Sequence, residues 1–289
     1  MHRRTLEELN LLDDFLFNKM VSHPEFGEDF VRKLLRIILG KEVGRLEVIP
    51  QKIYYGSDTD RHGARLDVYL EECDDDLDNA TIYDLEPESE GKLEDLKSLA
   101  RRIRFYHSKI DVGSLKSSQD YQELKNVIVI FIVPKDPLGA NRMFYTIENK
   151  CKELPDLPYD DGAKTILLYT KGTEGNPEDG LRELLAYMED SNEKNVKNET
   201  LEQIHQMMKR VKSDEEVSLE YMKIYERERM LKAQGHEQGY SMGIKEEAER
   251  NARTLFENGA DFELVKNSIK TLSEEALQAI YQEVKNSNK

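Results

Sequence analysis

Residues 126–133 read Asn-Val-Ile-Val-Ile-Phe-Ile-Val and end at Pro134. An uninterrupted apolar run of this length, closed by a proline, marks a central strand buried on both faces. Upstream, Leu93, Leu96, Leu99, Ile103, Tyr106 and Ile110 fall in one stripe at helical spacing, which predicts a helix over 93–110. Before that helix, residues 64–71 (ARLDVYLE) alternate in character, and residues 80–86 (ATIYDLE) return after a loop rich in Asp and Asn. The two segments read as a hairpin. Residues 45–56 (RLEVIPQKIYYG) are β-like, with Pro50 pointing to an edge strand or bulge. Two helices fill residues 5–40, broken at Pro24 and capped at Gly40. Downstream, strands are expected at 142–148 and 164–170. The order α-α-β-β-β-α-β describes an α/β domain.

The hairpin carries acids where a strand usually carries apolar residues. With the loop centred near residues 75–76, Asp67 stands opposite Asp84 and diagonal to Glu86 on one sheet face. Leu66, Val68, Tyr83 and Leu85 then take the opposite, core-facing side. Diagonal neighbours lie within about 7–8 Å, so both side chains can reach one cation at about 2.1 Å from each oxygen. The period of two adds Glu88 near the same face. Carboxylates gathered in this way repel one another, and a divalent ion relieves the repulsion. Such an ion also activates water and polarises a phosphodiester. The plainer alternative is a solvated face of ordinary surface charges.

The remaining sequence narrows the function classes. The 289 residues carry a net charge of −16, which argues against a surface broadly built for nucleic acid but permits a local basic face. Much of the acidity sits in segments such as 71–76 (EECDDD). No apolar run approaches the ~20 residues of a membrane span, and residues 1–8 pass directly into a charged amphipathic pattern, so no signal peptide is expected. Cys73 and Cys151 stand alone, which fits a reducing cytosol rather than a disulfide framework or zinc site. The six histidines show no HxH or HExxH spacing. From Pro177 the chain turns helical and charged, with one long helix expected over 198–234. Its Met207, Met208, Met222 and Met230 read as packing residues. Gly235, Gly239 and Gly243 follow, suited to a close helix crossing or a hinge. A charged helix then runs to about Asn258, Gly259 breaks it, and helices are expected at 261–270 and 274–285 with Ser273 as N-cap.

Taken in order, residues 12–19 (LDDFLFNK), 65–69 (RLDVY), 82–87 (IYDLEP), 101–106 (RRIRFY), 121–127 (YQELKNV) and 161–172 (DGAKTILLYTKG) form a recognisable set. Over roughly residues 8–190 the chain resembles the bacterial PD-(D/E)XK nuclease family transposases, also described as recombination-promoting nucleases. The resemblance implies a restriction-endonuclease-like core, a mixed central sheet flanked by helices, with an all-α charged C-terminal extension. It divides the chain into a nuclease-like domain at 1–190, a charged linker helix at 191–234 and a helical tail at 235–289. It further implies a cytoplasmic, Mg²⁺- or Mn²⁺-dependent DNA endonuclease associated with transposition or recombination. By the same resemblance Asp67 and Glu86 are the catalytic, metal-binding acids, and Asp14 is the helix-borne acid at the same metal. The signature expects Lys or Gln at the third position, where this chain has Glu88. A lysine there would orient the attacking water and balance charge. Three readings follow: Glu88 belongs to the catalytic site and binds a second cation, Lys92 or Lys97 substitutes for the lysine, or catalysis is lost and the fold acts as an interaction or regulatory protein. Arg101 and Arg104, opening the helix after the site, are the expected phosphate contacts. The C-terminal helices are the expected surface for a protein partner or a second copy.

Overall fold

The computed structural model describes residues 4–55, 63–72, 80–88, 96–177 and 180–287. Two helices come first, α1 (Asp14–Val21) and α2 (Gly27–Leu39). Phe30, Val31, Leu34, Leu35, Ile37 and Ile38 bury one stripe of α2, and Gly40 closes the helix in the left-handed conformation at φ 63°. That cap is the one expected, since only a residue without Cβ takes this φ at no steric cost. Among the described residues the strands that follow are β1 (Leu46–Pro50), β2 (Ile53–Tyr54), β3 (Ala64–Arg65), β4 (Val68–Glu72), β5 (Thr81–Pro87), β6 (Asn126–Val133), β7 (Phe144–Glu148) and β8 (Ala163–Tyr169). Helix α3 (Leu96–Ser114) lies between β5 and β6 in the chain.

Six strands form one mixed sheet in the order β1-β4-β5-β6-β8-β7, and β2 pairs with β3 separately. β5, β6 and β8 run parallel to one another in this row, while β1, β4 and β7 pair antiparallel. The expected NVIVIFIV strand is therefore central, and seven of its eight residues are buried. On one face, Leu99, Ile103 and Ile110 of α3 pack with Tyr69, Ile82, Val127, Val129, Phe131 and Leu167. On the other, Ile38 of α2 and Leu181 of α4 (Leu181–Glu189) line a cleft with Ile128, Ile166 and Leu168. Packing on both sides explains why β6 carries apolar residues without alternation.

The hairpin register differs from the expected one by two residues. Tyr69, not Asp67, pairs with Asp84, and Val68 pairs with Leu85. One further step along that register brings Asp67 level with Glu86. A shift of two preserves which face each side chain takes, so the acids still share a face. That face is not solvated, however. Asp84, Glu86 and Glu88 are all buried, as are Leu66, Val68, Tyr83 and Leu85. The expectation of one core-facing and one open side fails because β5 is an inner strand with α3 above it.

The helical part also departs from expectation. Instead of one helix over 198–234 there are two, α5 (Glu199–Lys212) and α6 (Glu215–Glu257). Asp214 starts the second, its Oδ1 accepting the N–H groups of Glu216 at 2.7 Å and Val217 at 3.3 Å. α6 runs unbroken through Gly235, Gly239 and Gly243, where a hinge or close crossing is the expectation from spacing; an added Cβ at any of the three meets nothing within 4 Å. α7 (Phe262–Ser268) and α8 (Glu274–Ser287) follow, and Ser273 Oγ accepts the N–H of Ala276 at 3.2 Å as the expected N-cap.

The chain divides into two compact units, Met1–Ser218 and Leu219–Lys289. The first includes α4 and α5, which are tied to the N-terminal segment. Leu11 N–H donates to Ser191 Oγ at 2.9 Å, and Lys212 Nζ donates to the Leu9 carbonyl at 2.7 Å. The second has its own core of Ala248, Ala252, Phe256, Val265, Leu272, Leu277, Ile280 and Val284. Among the described residues no helix is long and apolar enough to cross a membrane.

Candidate functional site

β5 places three acids on the face beneath α3 at a spacing of two: Asp84, Glu86 and Glu88, with relative exposures of 0%, 3% and 4%. Asp67 sits at the bend just before β4 and is half-buried. Its backbone N–H donates to Glu86 Oε1 at 2.7 Å. Two more backbone bonds fix this bend, from Gln51 N–H to the Asp67 carbonyl and from Leu66 N–H to the Lys52 carbonyl, both 2.9 Å. Gln51 reaches its partner with φ +53°, a left-handed conformation uncommon outside glycine. The bend at Asp67 is thus set by two main-chain hydrogen bonds, and the Glu86 carboxylate is tied to it by accepting the Asp67 backbone N–H.

Burial and mutual repulsion dominate the electrostatics. Burial pushes the Asp84 carboxyl up to about 8, with the charge of Asp67 adding to the rise. Glu86 is raised well above the ordinary carboxylate range, first by burial and then by the charges of Asp84 and Asp67. As a carboxylate, Asp84 would leave both oxygens without a hydrogen-bond donor among the described residues. A proton shared with the neighbouring Glu86 carboxyl would engage one of them. The Tyr106 phenol is held in its protonated form by burial and by the same acids, Glu86 foremost.

Glu88 behaves differently. Its Oε1 accepts from the Arg102 guanidinium of α3. That guanidinium lies 4.8 Å from the Phe131 ring centroid and 5.8 Å from that of Tyr106. Phe131 is the cross-strand partner of Glu86, so Arg102 occupies the flank of the acid row. On the far flank, Lys52 Nζ stands 3.2 Å from the centroid of Tyr69, the partner of Asp84. Of these two cations, Arg102 is the one whose charge reaches Asp84 and Glu86.

Comparison of the chain with family models, with curated proteins and with solved structures finds no match. What the site can do rests on its residues.

Of the residues singled out from sequence, the structure brings together Asp67 and Glu86, while Glu88, on the same face, pairs with Arg102. Asp14 lies in the first turn of α1, half-buried. Among the described residues no three His, Cys, Asp or Glu side chains form a ready-made ligand set, so Asp14 does not complete one with Asp67 and Glu86. Arg101 and Arg104 are exposed on α3. Lys92 and the side chain of Lys97 lie outside the described residues. Sequence reasoning named Arg102 only with its neighbours and missed its place at the site. The signal was present, because Arg102 is three residues after Leu99 and four before Tyr106, on the buried stripe of the helix. A separate, mainly apolar cleft of about 520 Å³ lies beside α3, lined in part by Leu99, Ile103, His107, Ile147 and Thr165. His107 Nε2 is 3.0 Å from Thr165 Oγ1 there.

Proposed function

We propose that this chain is a divalent-cation-dependent DNA endonuclease with a restriction-endonuclease-like core of the PD-(D/E)XK kind, hydrolysing phosphodiester bonds in bacterial recombination or transposition. One observation carries the reading. The Asp67 backbone N–H holds the Glu86 carboxylate at 2.7 Å, next to a third acid, with the buried carboxyls of Asp84 and Glu86 driven toward protonation. Strand positions that hold like charges together are costly for folding alone and serve a cation well.

The donor set suits Mg²⁺ or Mn²⁺. These hard ions take carboxylate oxygens, and Mg²⁺ is commonly held by only one or two carboxylates while keeping several waters. Asp67 and Glu86 would hold the ion, with Asp14 the further acid that the sequence resemblance offers. When bound, such an ion supplies Lewis-acid polarisation of a phosphodiester and a more acidic water. Asp84, two residues before Glu86 on the same strand face, adds to the cost of charging Glu86, a cost that a bound cation would offset. Arg101 and Arg104, pointing to solvent from α3, are suited to grip DNA phosphates despite the acidic whole. The exposed Leu219, Met230, Leu231, Tyr240 and Met242 of α6 suit contact with a protein partner or a second copy.

Linkage gives the test. At a cation concentration ~100 times its Kd, an occupied site adds about 2.7 kcal/mol, roughly 5–10 °C of Tm for a unit of this size. Mn²⁺ is expected to raise the Tm of the wild type and not that of Asp67→Asn. An equal shift in both, or none in the wild type, refutes the metal site.

A second reading has its own observation. The closed Glu88–Arg102 pair stands where the signature places a lysine. If that pair is permanent, the fold is catalytically inactive and works as an interaction or regulatory protein through its helices.

A further inference from the structure

We propose that Arg102 is a phosphate-binding residue of this site, held by Glu88 in the free protein and presented to a phosphate oxygen when DNA enters. The inference rests on the endonuclease reading and concerns how the site meets its substrate.

Three features of the pair support it. First, its two members differ in access. The Glu88 side chain is 5% exposed and that of Arg102 35%, so Arg102 is the more open member of the pair. Second, the pair is incompletely satisfied. Glu88 Oε2 and Arg102 Nε are buried without a hydrogen-bond partner among the described residues. A guanidinium carries five N–H donors in a planar fork, and one carboxylate oxygen uses little of that capacity. A phosphate can bind donors of the terminal guanidinium nitrogens while Glu88 keeps its own contact or yields it. Third, the cation is positioned independently of Glu88. Its plane is supported by Phe131 at 4.8 Å and by Tyr106 at 5.8 Å, contacts that favour Arg over Lys. Phe131 pairs with Glu86 across β5 and β6, which puts the free donors beside the acid that would hold the metal. A phosphate bridging metal and protein would meet the guanidinium there. Glu88 thus restrains a cation supplied by α3, rather than failing to be the cation itself.

The test uses the full chain and a fluorescein-labelled DNA duplex. Binding is read by fluorescence anisotropy with Ca²⁺ in place of Mg²⁺, from about 50 to about 200 mM salt, after circular dichroism has verified each variant's fold. Arg102→Gln is expected to weaken binding about tenfold and to reduce the slope of log K on log salt by about one. Glu88→Gln, which leaves the guanidinium in place without its competitor, is expected to tighten binding several-fold with an unchanged slope. Wild-type binding that neither variant alters overturns the role of Arg102 and leaves the endonuclease reading standing. Absence of DNA binding by the wild type overturns both. Should Arg102→Gln not fold, unchanged affinity of Glu88→Gln is sufficient to reject the proposal.

Discussion

Asp84→Asn is expected to stabilise the first unit at pH 8 by a few kcal/mol, and to do little near pH 4. Asp84 is fully buried, and its carboxyl is raised from an ordinary 3.8 to about 8. Between those two values the folded chain holds a proton that the unfolded chain has lost. Stability therefore falls as pH rises through that window and levels off above it. Glu86, raised by burial and by Asp84 and Asp67, acts in the same direction. Asparagine keeps the shape, has no charge to bury, and can donate its amide N–H to Glu86. Each pKa unit corresponds to ~1.4 kcal/mol, and relaxation around a buried charge absorbs part of the four-unit displacement, which leaves a few kcal/mol. Thermal unfolding followed by circular dichroism at about pH 5, 6.5 and 8 measures it. The wild type should lose Tm across the series while Asp84→Asn loses much less. Parallel curves for the two proteins would remove the strained acid pair from the account.

Phe131→Ala is expected to cost about 3–5 kcal/mol, the usual range for emptying a buried phenylalanine site. Phe131 is fully buried in the middle of the central strand, with Arg102 at 4.8 Å and Tyr106 at 6.2 Å between centroids. The cavity cannot easily collapse, because strands on both sides hold β6 in register. Against a typical total of 5–15 kcal/mol, a loss of this size is readily seen as a lower urea midpoint. A loss below ~1 kcal/mol would mean that α3 does not pack on this strand as described. Since the same ring supports the guanidinium, folded Phe131→Ala protein should also bind DNA more weakly.

The strands were easier to read than the contacts among them. The run at 126–133 identified itself, because eight residues without a charge are tolerated only where helices cover both faces. The acids of β5 were equally visible, since Asp84 and Glu86 interrupt an otherwise apolar strand. Their register was not, for a pattern of period two looks the same after a shift of two, and that shift moved Asp67 from Asp84 to Glu86. Their burial was also hidden, because it depends on where α3 lies and not on the strand. Arg102 was hidden for the opposite reason. Of the three arginines 101, 102 and 104, only Arg102 is turned inward by its angular position, and a cluster of charges obscures angle. In the tail, glycine spacing suggested a break that α6 does not make. Helix formation there outweighs the ~1 kcal/mol that each glycine costs.

The Asp67–Glu86 pair is the centre of the account, and hydrolysis of DNA tests it most directly. Supercoiled plasmid is incubated with the wild type and with Glu86→Gln, each with Mg²⁺, with Mn²⁺ and with chelator. The amide oxygen of the substituted side chain should still accept the Asp67 N–H, so the fold should survive while the charged ligand is lost. Conversion to open-circular or linear DNA by the wild type only when cation is present, with cleavage by Glu86→Gln reduced roughly a thousandfold (~4 kcal/mol of barrier), is the predicted result. No cleavage by the folded wild type, or equal cleavage by Glu86→Gln, would contradict it.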